Sequence, residues 1–311
     1  MNFLLQGNAL LALGAAVLWG GGDFSGGMGV KHAGENLQGA LRVVLLSHAV
    51  SFSVLLVVAW ARGDAFPHGA LLAWGIGAGV SAGASLTLFY LALSRGAMGA
   101  SAAVSGLLAA AIPAMVSMAT EGSPGVLRVA GFVVAGVAIW MIAAGPAEVT
   151  ETAGKAEAKG TMGMAIAAGA GFGIYFVGLK HAGAGGVVWP MATSRIGSLS
   201  VCALILASTR IGATRIGAGR MRAGRGGGKE AGGIRWAVAR WAVLTAALDT
   251  TGNMMFIAAT RAGRLDVAAV LASLYPASTI VLAAWVLREK FTGRQGWGMA
   301  VAAVAVVMIA A

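Results

Sequence analysis

The sequence predicts an all-α integral membrane protein, with ten transmembrane helices arranged as two inverted five-helix repeats. Composition is the first ground: of 311 residues, 58% are hydrophobic and 11% charged, with a mean hydropathy of +0.83. A soluble domain carries roughly 25% charged residues. The second ground is segment length, since ten apolar stretches meet or approach the roughly 20 residues a spanning helix needs. The third is a pattern shared by the two halves of the chain. Together these exclude a soluble enzyme, a disordered chain and a secreted disulfide scaffold. Cys202 is the only cysteine, so an intrachain disulfide has no second thiol.

The first five apolar segments run over residues 10–28, 41–60, 70–93, 97–119 and 126–144. The second five cover 161–179, 187–208, 236–260, 267–287 and 296–311. Polar punctuation separates them, as in KHAGEN from Lys31, SRG from Ser94 and LREK from Leu287. The first segment is too long and too unlike a charged-then-apolar leader for a cleaved signal peptide. Alternating ten-residue strands are absent from the pattern, which favours a helical bundle over a barrel. Glycines at 75, 77, 79 and 83 mark the third segment, and those at 169, 171, 173 and 178 the sixth. Such small faces let helices approach closely.

Two hydrophilic stretches interrupt the series. Residues 146–160 form an expected linker between a first repeat at 1–145 and a second at 161–311. The second stretch is a basic loop at 209–235 with Arg210, Arg215, Arg220, Arg222, Arg225, Lys229 and Arg235, offset by Glu230 alone. It supplies much of the net charge of +11. Its place beside the lipid bilayer points to anionic headgroups and not to nucleic acid. AGRGGGKE at 223–230 falls short of a phosphate-binding loop, because Glu230 stands where a Ser or Thr is needed.

The halves align. GFVVAGVAIWMIAA at 131–144 and GMAVAAVAVVMIAA at 298–311 agree at nine of fourteen positions. KHAG occurs at 31–34 and again at 180–183, and Arg42, Arg95 and Glu121 have counterparts in Arg195, Arg261 and Glu289. An odd number of spans per repeat makes the second copy enter from the opposite side. Inverted repeats give many membrane carriers two interconvertible conformations around a central site.

Leu18-Trp19-Gly20, the KHA after the first helix, Arg42, Arg195 and the run LYPASTIVLAAWVLREKFTGRQGWG from Leu274 resemble the EamA-type family of the drug/metabolite transporter superfamily. The similarity extends over nearly the whole chain, and Pro276, Glu289 and Gly298 are its most specific positions. The resemblance implies a multi-pass permease of the cell (inner or plasma) membrane, often an exporter. Its cargo would be a small metabolite such as an amino acid or a related amphipathic solute. It implies neither ATP hydrolysis nor a cofactor. The first half departs from the pattern: its proline is Pro113, nearer Glu121 than Pro276 is to Glu289, which displaces the expected helix break.

Acids are scarce, eleven in all, and only Asp23 and Asp249 fall inside apolar segments. A carboxylate at the bilayer centre costs about 2.5–3.5 kcal/mol on insertion scales. Asp249, with Asn253 one turn on, fits proton coupling or binding of a substrate amine, or else a buried ion pair to Arg240 or Arg195. Asp23 fits a similar role, or a helix cap within GGGDFSGG. An acid facing a cavity lets protonation and cargo binding exclude or require each other. Trp19, Tyr90, Tyr175 and Tyr275 lie deep in their segments and, with Ser105 and Ser273, suit the lining of such a cavity or ordinary core packing. Arg42 and Arg195 fit gating, an anion contact or snorkelling. Glu121 and Glu289 fit structural ties, to Arg128 and to Lys290 or Arg294. His48 reads as a lone buried hydrogen-bonder, and the histidines show no metal-ligand spacing.

A membrane-embedded enzyme and a channel are the competing readings. The first lacks HExxH, DxxxD pairs or GxSxG, and two dissimilar inward acids suit an alternating site better than a pore. Basic residues outside the helices gather opposite the termini, which places the termini outside by the positive-inside tendency. The family resemblance implies the reverse. A monomer and a homodimer are both compatible with the sequence.

Overall fold

The computed structural model describes residues 7–95, 98–143, 155–216, 228–287 and 292–310. The first half holds α1 (Gly7–His32), α2 (Leu37–Arg62), α3 (Ala70–Arg95), α4 (Met98–Glu121) and α5 (Val126–Ala143). The second holds α6 (Lys155–Ala182), α7 (Val188–Ile216), α8 (Gly228–Ala262), α9 (Leu265–Ala272), α10 (Tyr275–Leu287) and α11 (Gly293–Ala310). Eight stretches are long and apolar enough to cross a membrane, with α9 and α10 together forming one of them; α5 and α11 are shorter apolar helices. Val57, Trp60, Leu204 and Trp285 stand exposed, as do many other large apolar side chains. A surface so apolar is covered by lipid and not by water. The chain is a multi-pass membrane protein.

The basic loop is shorter than the sequence suggests. Helix α7 continues to Ile216 and α8 begins at Gly228, so both margins of 209–235 are helical, while 217–227 lie outside the described residues. Arginine and alanine are good helix formers and extend a helix past its apolar part. Most of the linker also lies outside the described residues, and α6 starts within its last turn at Lys155.

Helix α4 runs through Pro113 without interruption, whereas the corresponding span of the second half is divided between α9 and α10. Pro276 explains the second case. It has no N–H to donate and disfavours helical geometry in the residue before it, so it sits in the first turn of a new helix. Ser273 closes α9 by donating its N–H to Ala269 at 2.9 Å.

Helix α1 packs on α8 and along α9 and α10; α6 packs on α3 and α4. Helices α2 and α7 face each other, α3 also lies against α7, α2 against α8, and α5 against α11. Glycine permits the closest of these approaches. A Cβ at Gly79 of α3 would collide with the Ser194 carbonyl of α7, and one at Gly20 of α1 would lie 2.8 Å from the Tyr275 carbonyl of α10. These contacts fix α7 and α1, the two helices that carry Arg195 and Asp23.

The end of the bundle bearing the start of α1 is tied across its helices. Lys180 pairs with Glu121, and Arg261 donates to the Gly183 carbonyl. Arg264 donates to the carbonyls of Glu121 (3.2 Å) and Gly122 (2.7 Å) and grips Asp266 at 2.8 Å. That hydrogen bonding to Asp266 raises the Arg264 pKa further above its usual range. An open polar cavity of about 250 Å³ lies beside these ties, lined by Asn8, Arg128 and Arg264.

Candidate functional site

Three helices build a polar centre by helical spacing alone. On α2, His48 and Ser51 are three residues apart; on α7 so are Arg195 and Ser198; on α8, Asp249, Thr250 and Asn253 fall on one face. The Arg195 side chain is 1% exposed. It forms a salt bridge with the Asp249 carboxylate and donates from Nε to Ser51 at 3.0 Å and from one terminal nitrogen to His48 Nε2 at 2.7 Å. Thr250 lies 3.4 Å from the other.

Donor rules determine the rest. Arginine has no acceptor, so His48 Nε2 must accept and the ring proton resides on Nδ1. Nδ1 donates to Ser198 at 2.7 Å, and Ser198 donates to the Arg195 carbonyl at 3.1 Å. The Ser51 and Thr250 hydroxyls share a hydrogen bond at 2.6 Å. The second oxygen of Asp249 accepts from Asn253 Nδ2 at 2.9 Å, and Tyr175 donates to Asn253 Oδ1 at 3.0 Å. Both oxygens of Asp249 are thus engaged.

Asp23 differs. It is buried on α1, one turn beyond Trp19, within electrostatic reach of Asp249 and Tyr90. It has no hydrogen-bond or ion-pair partner among the described residues. Its carboxylate borders a narrow cavity of about 30 Å³ lined by Trp19, Leu86, Phe172, Tyr175, Phe176, Asp249, Asn253 and Tyr275. Trp19 and Phe176 stack with centroids 4.9 Å apart, and Tyr275 stands edge-on to Trp19 at 6.4 Å. Tyr275 anchors its hydroxyl on the Ala102 carbonyl at 3.2 Å. At this volume the cavity is constricted around its centre.

Of the residues singled out from the sequence, Trp19, Asp23, Tyr175, Asp249, Asn253 and Tyr275 come together at this cavity. Tyr90, Ser105 and Ser273 are buried but do not line it. Tyr90 lies over Gly26, where α1 leaves room for a ring, and Ser273 closes α9. Arg42 and Arg195, paired by sequence, part company: Arg42 faces outward on α2, while Arg195 is in the centre. Of the two partners considered for Asp249, Arg195 is the one; Arg240 lies over the Trp241 ring at 5.6 Å. Glu121 pairs with Lys180 rather than Arg128, because α4 packs on α6. Glu289 lies outside the described residues. His48, Ser51, Ser198, Phe172 and Phe176 join the site without having been sequence candidates for it. The i, i+3 pairs of polar residues inside apolar helices were the available signal. Among the described residues no three His, Cys, Asp or Glu side chains cluster as a metal site would require.

Residues 159–311 match the model of the EamA-like transporter family. The match spans the carboxyl-terminal half of the chain and makes that half EamA-like. A solved structure described only as "Crystal structure of protein" shares the fold at a TM-score of 0.64, with 15% identity over 97% of this chain and 95% of its own. No curated protein matches. The EamA-like half contributes Arg195, Asp249, Asn253, Tyr175 and Tyr275; Trp19 and Asp23 come from the half that precedes it.

Proposed function

We propose that this chain is a secondary carrier of ten spans. Its two five-helix halves, 1–145 and 161–311, are inverted with respect to one another. In this reading it moves a small amphipathic metabolite, such as an amino acid or related solute, across the cell membrane by alternating access. The direction is export, in keeping with the EamA resemblance, and protons are the coupling ion.

The observation that carries the proposal is the difference between the two buried acids. Asp249 is paired with Arg195, whereas Asp23 borders a narrow aromatic cavity with no cation of its own. A free acid costs stability in such a place and is retained where it has a task. The packing supports the inverted arrangement, because α1 lies on α8 and α9–α10 as α6 lies on α3 and α4. A constricted central cavity suits a carrier better than a continuous pore.

Mechanistically, Asp23 holds either a proton or the polar head of the cargo, and the aromatic rings take the cargo's apolar part. Neutralising Asp23 removes the buried charge that opposes movement of α1 against α8. The Arg195–Asp249–Asn253 chain holds α7 and α8 together while the remaining helices rearrange.

The experiment is counterflow in proteoliposomes, with solutes first chosen by thermal stabilisation of the purified chain. Saturable, trans-stimulated exchange of at least one such solute is expected. Flux that never saturates, or exchange that ignores an imposed pH gradient, contradicts the carrier or its proton coupling respectively.

A further inference from the structure

We infer that the central site selects a cationic amine bearing an apolar or aromatic body, and rejects the zwitterion and the anion of the same skeleton. This rests on the carrier reading and narrows its substrate class to the related amphipathic amines, leaving out zwitterionic amino acids themselves. The ionisable groups at the site leave one carboxyl group without a cation. Asp23 and Asp249 both bring carboxyl groups to the cavity wall, and Arg195, paired with Asp249, is the one cation beside it among the described residues. His48 accepts from Arg195 and so contributes no charge.

Arg195 is also unavailable to a ligand. Its side chain is 1% exposed, its donors are directed at Asp249, Ser51 and His48, and it does not line the cavity. An incoming carboxylate would therefore meet Asp23 and Asp249 with no cation to receive it. An ammonium meets the opposite situation. Asp23 offers an unpartnered carboxylate, and Trp19, Phe176 and Tyr275 offer ring surfaces that attract a cation and also cover apolar carbon. Phe172 and Leu86 complete the apolar wall. The hydroxyls of Tyr175 and Tyr275 are held by Asn253 and the Ala102 carbonyl, which leaves their rings as the surface presented.

The test measures binding to the purified full-length chain by quenching of tryptophan fluorescence and, in parallel, by thermal stabilisation. Four probes share a phenyl ring: phenethylammonium, 2-phenylethanol, phenylacetate and zwitterionic phenylalanine. The expected result is that phenethylammonium binds about tenfold or more tightly than the other three, and that Asp23→Asn removes this preference. Equal binding of phenylalanine or 2-phenylethanol overturns the inference. So does undiminished phenethylammonium binding by a folded Asp23→Asn variant. Should Asp23→Asn fail to fold, the ranking of the four probes on the unaltered chain still decides. Failure here is distinct from failure of the carrier reading. Counterflow of a zwitterion that phenethylammonium does not inhibit overturns the cation preference and leaves the carrier standing. Cation binding without exchange of any solute does the reverse.

Discussion

Asp249 shares its carboxylate between Arg195 of α7 and Asn253 of its own helix, so the charge nearest the middle of α8 is matched on both oxygens. Asp23, on the neighbouring α1, has no such partner. Both acids line the cavity, but only Asp249 is also tied into the scaffold, and the two respond differently to substitution.

Arg195→Met leaves Asp249 as an uncompensated buried charge and strips a partner from His48 and Ser51. Breaking a buried pair from one side costs about 3–5 kcal/mol. Thermal unfolding of the purified variants checks this. Arg195→Met lowers Tm strongly, and the double variant Arg195→Met/Asp249→Asn recovers part of the loss. Additive losses would mean the two residues do not act as a pair.

His48 holds its proton on Nδ1, with Nε2 bare and accepting from Arg195. Solid-state NMR of ¹⁵N-histidine-labelled protein in lipid should place one histidine in that neutral tautomer, and the signal should vanish in His48→Phe. A His48 signal protonated on both nitrogens would contradict the donor assignment.

Neighbouring glycines of α3 separate close packing from helix propensity. A Cβ at Gly79 runs into the Ser194 carbonyl, while one at Gly77 meets nothing within 4 Å. Gly79→Ala should destabilise the chain and weaken ligand binding by displacing α7 next to Arg195. Gly77→Ala should leave Tm unchanged or slightly raised, since alanine is the better helix former by about 0.8–1.0 kcal/mol. Equal responses would show that the α3–α7 approach does not position the site.

The ties at the end bearing the start of α1 should govern opening there. Arg264→Ala frees the carbonyls of Glu121 and Gly122 and leaves Asp266, which is fully buried, without its cation. With Cys202 replaced by serine and a cysteine placed at Asn8, this variant should react faster with a membrane-impermeant maleimide than its Arg264 parent. An unchanged rate would remove these contacts from the gating account.

The membrane class and the helix positions were legible because apolar length and polar punctuation are local signals. The two central acids were legible because charge inside an apolar run is costly wherever the helix packs. Partner choice was not. Glu121 finds Lys180, distant in sequence, because α4 lies on α6, and spacing along the chain carries no trace of that. Arg42 and Arg195 occupy matched positions early in their helices but face opposite environments, one outward and one into the centre. Depth within a span is a local property of the sequence, whereas the direction a residue faces depends on which helices pack together. The break before Pro276 followed from proline chemistry, and the continuity of α4 through Pro113 shows that tertiary packing can override it.

The most direct test is counterflow in proteoliposomes of the unaltered chain beside Asp23→Asn, using one solute that stabilises both proteins. The unaltered chain should exchange that solute saturably and respond to a pH gradient. The Asp23→Asn variant should have lost the pH response. Non-saturable flux through the unaltered chain, or an undiminished pH response without the Asp23 carboxylate, would contradict a carrier working through that acid.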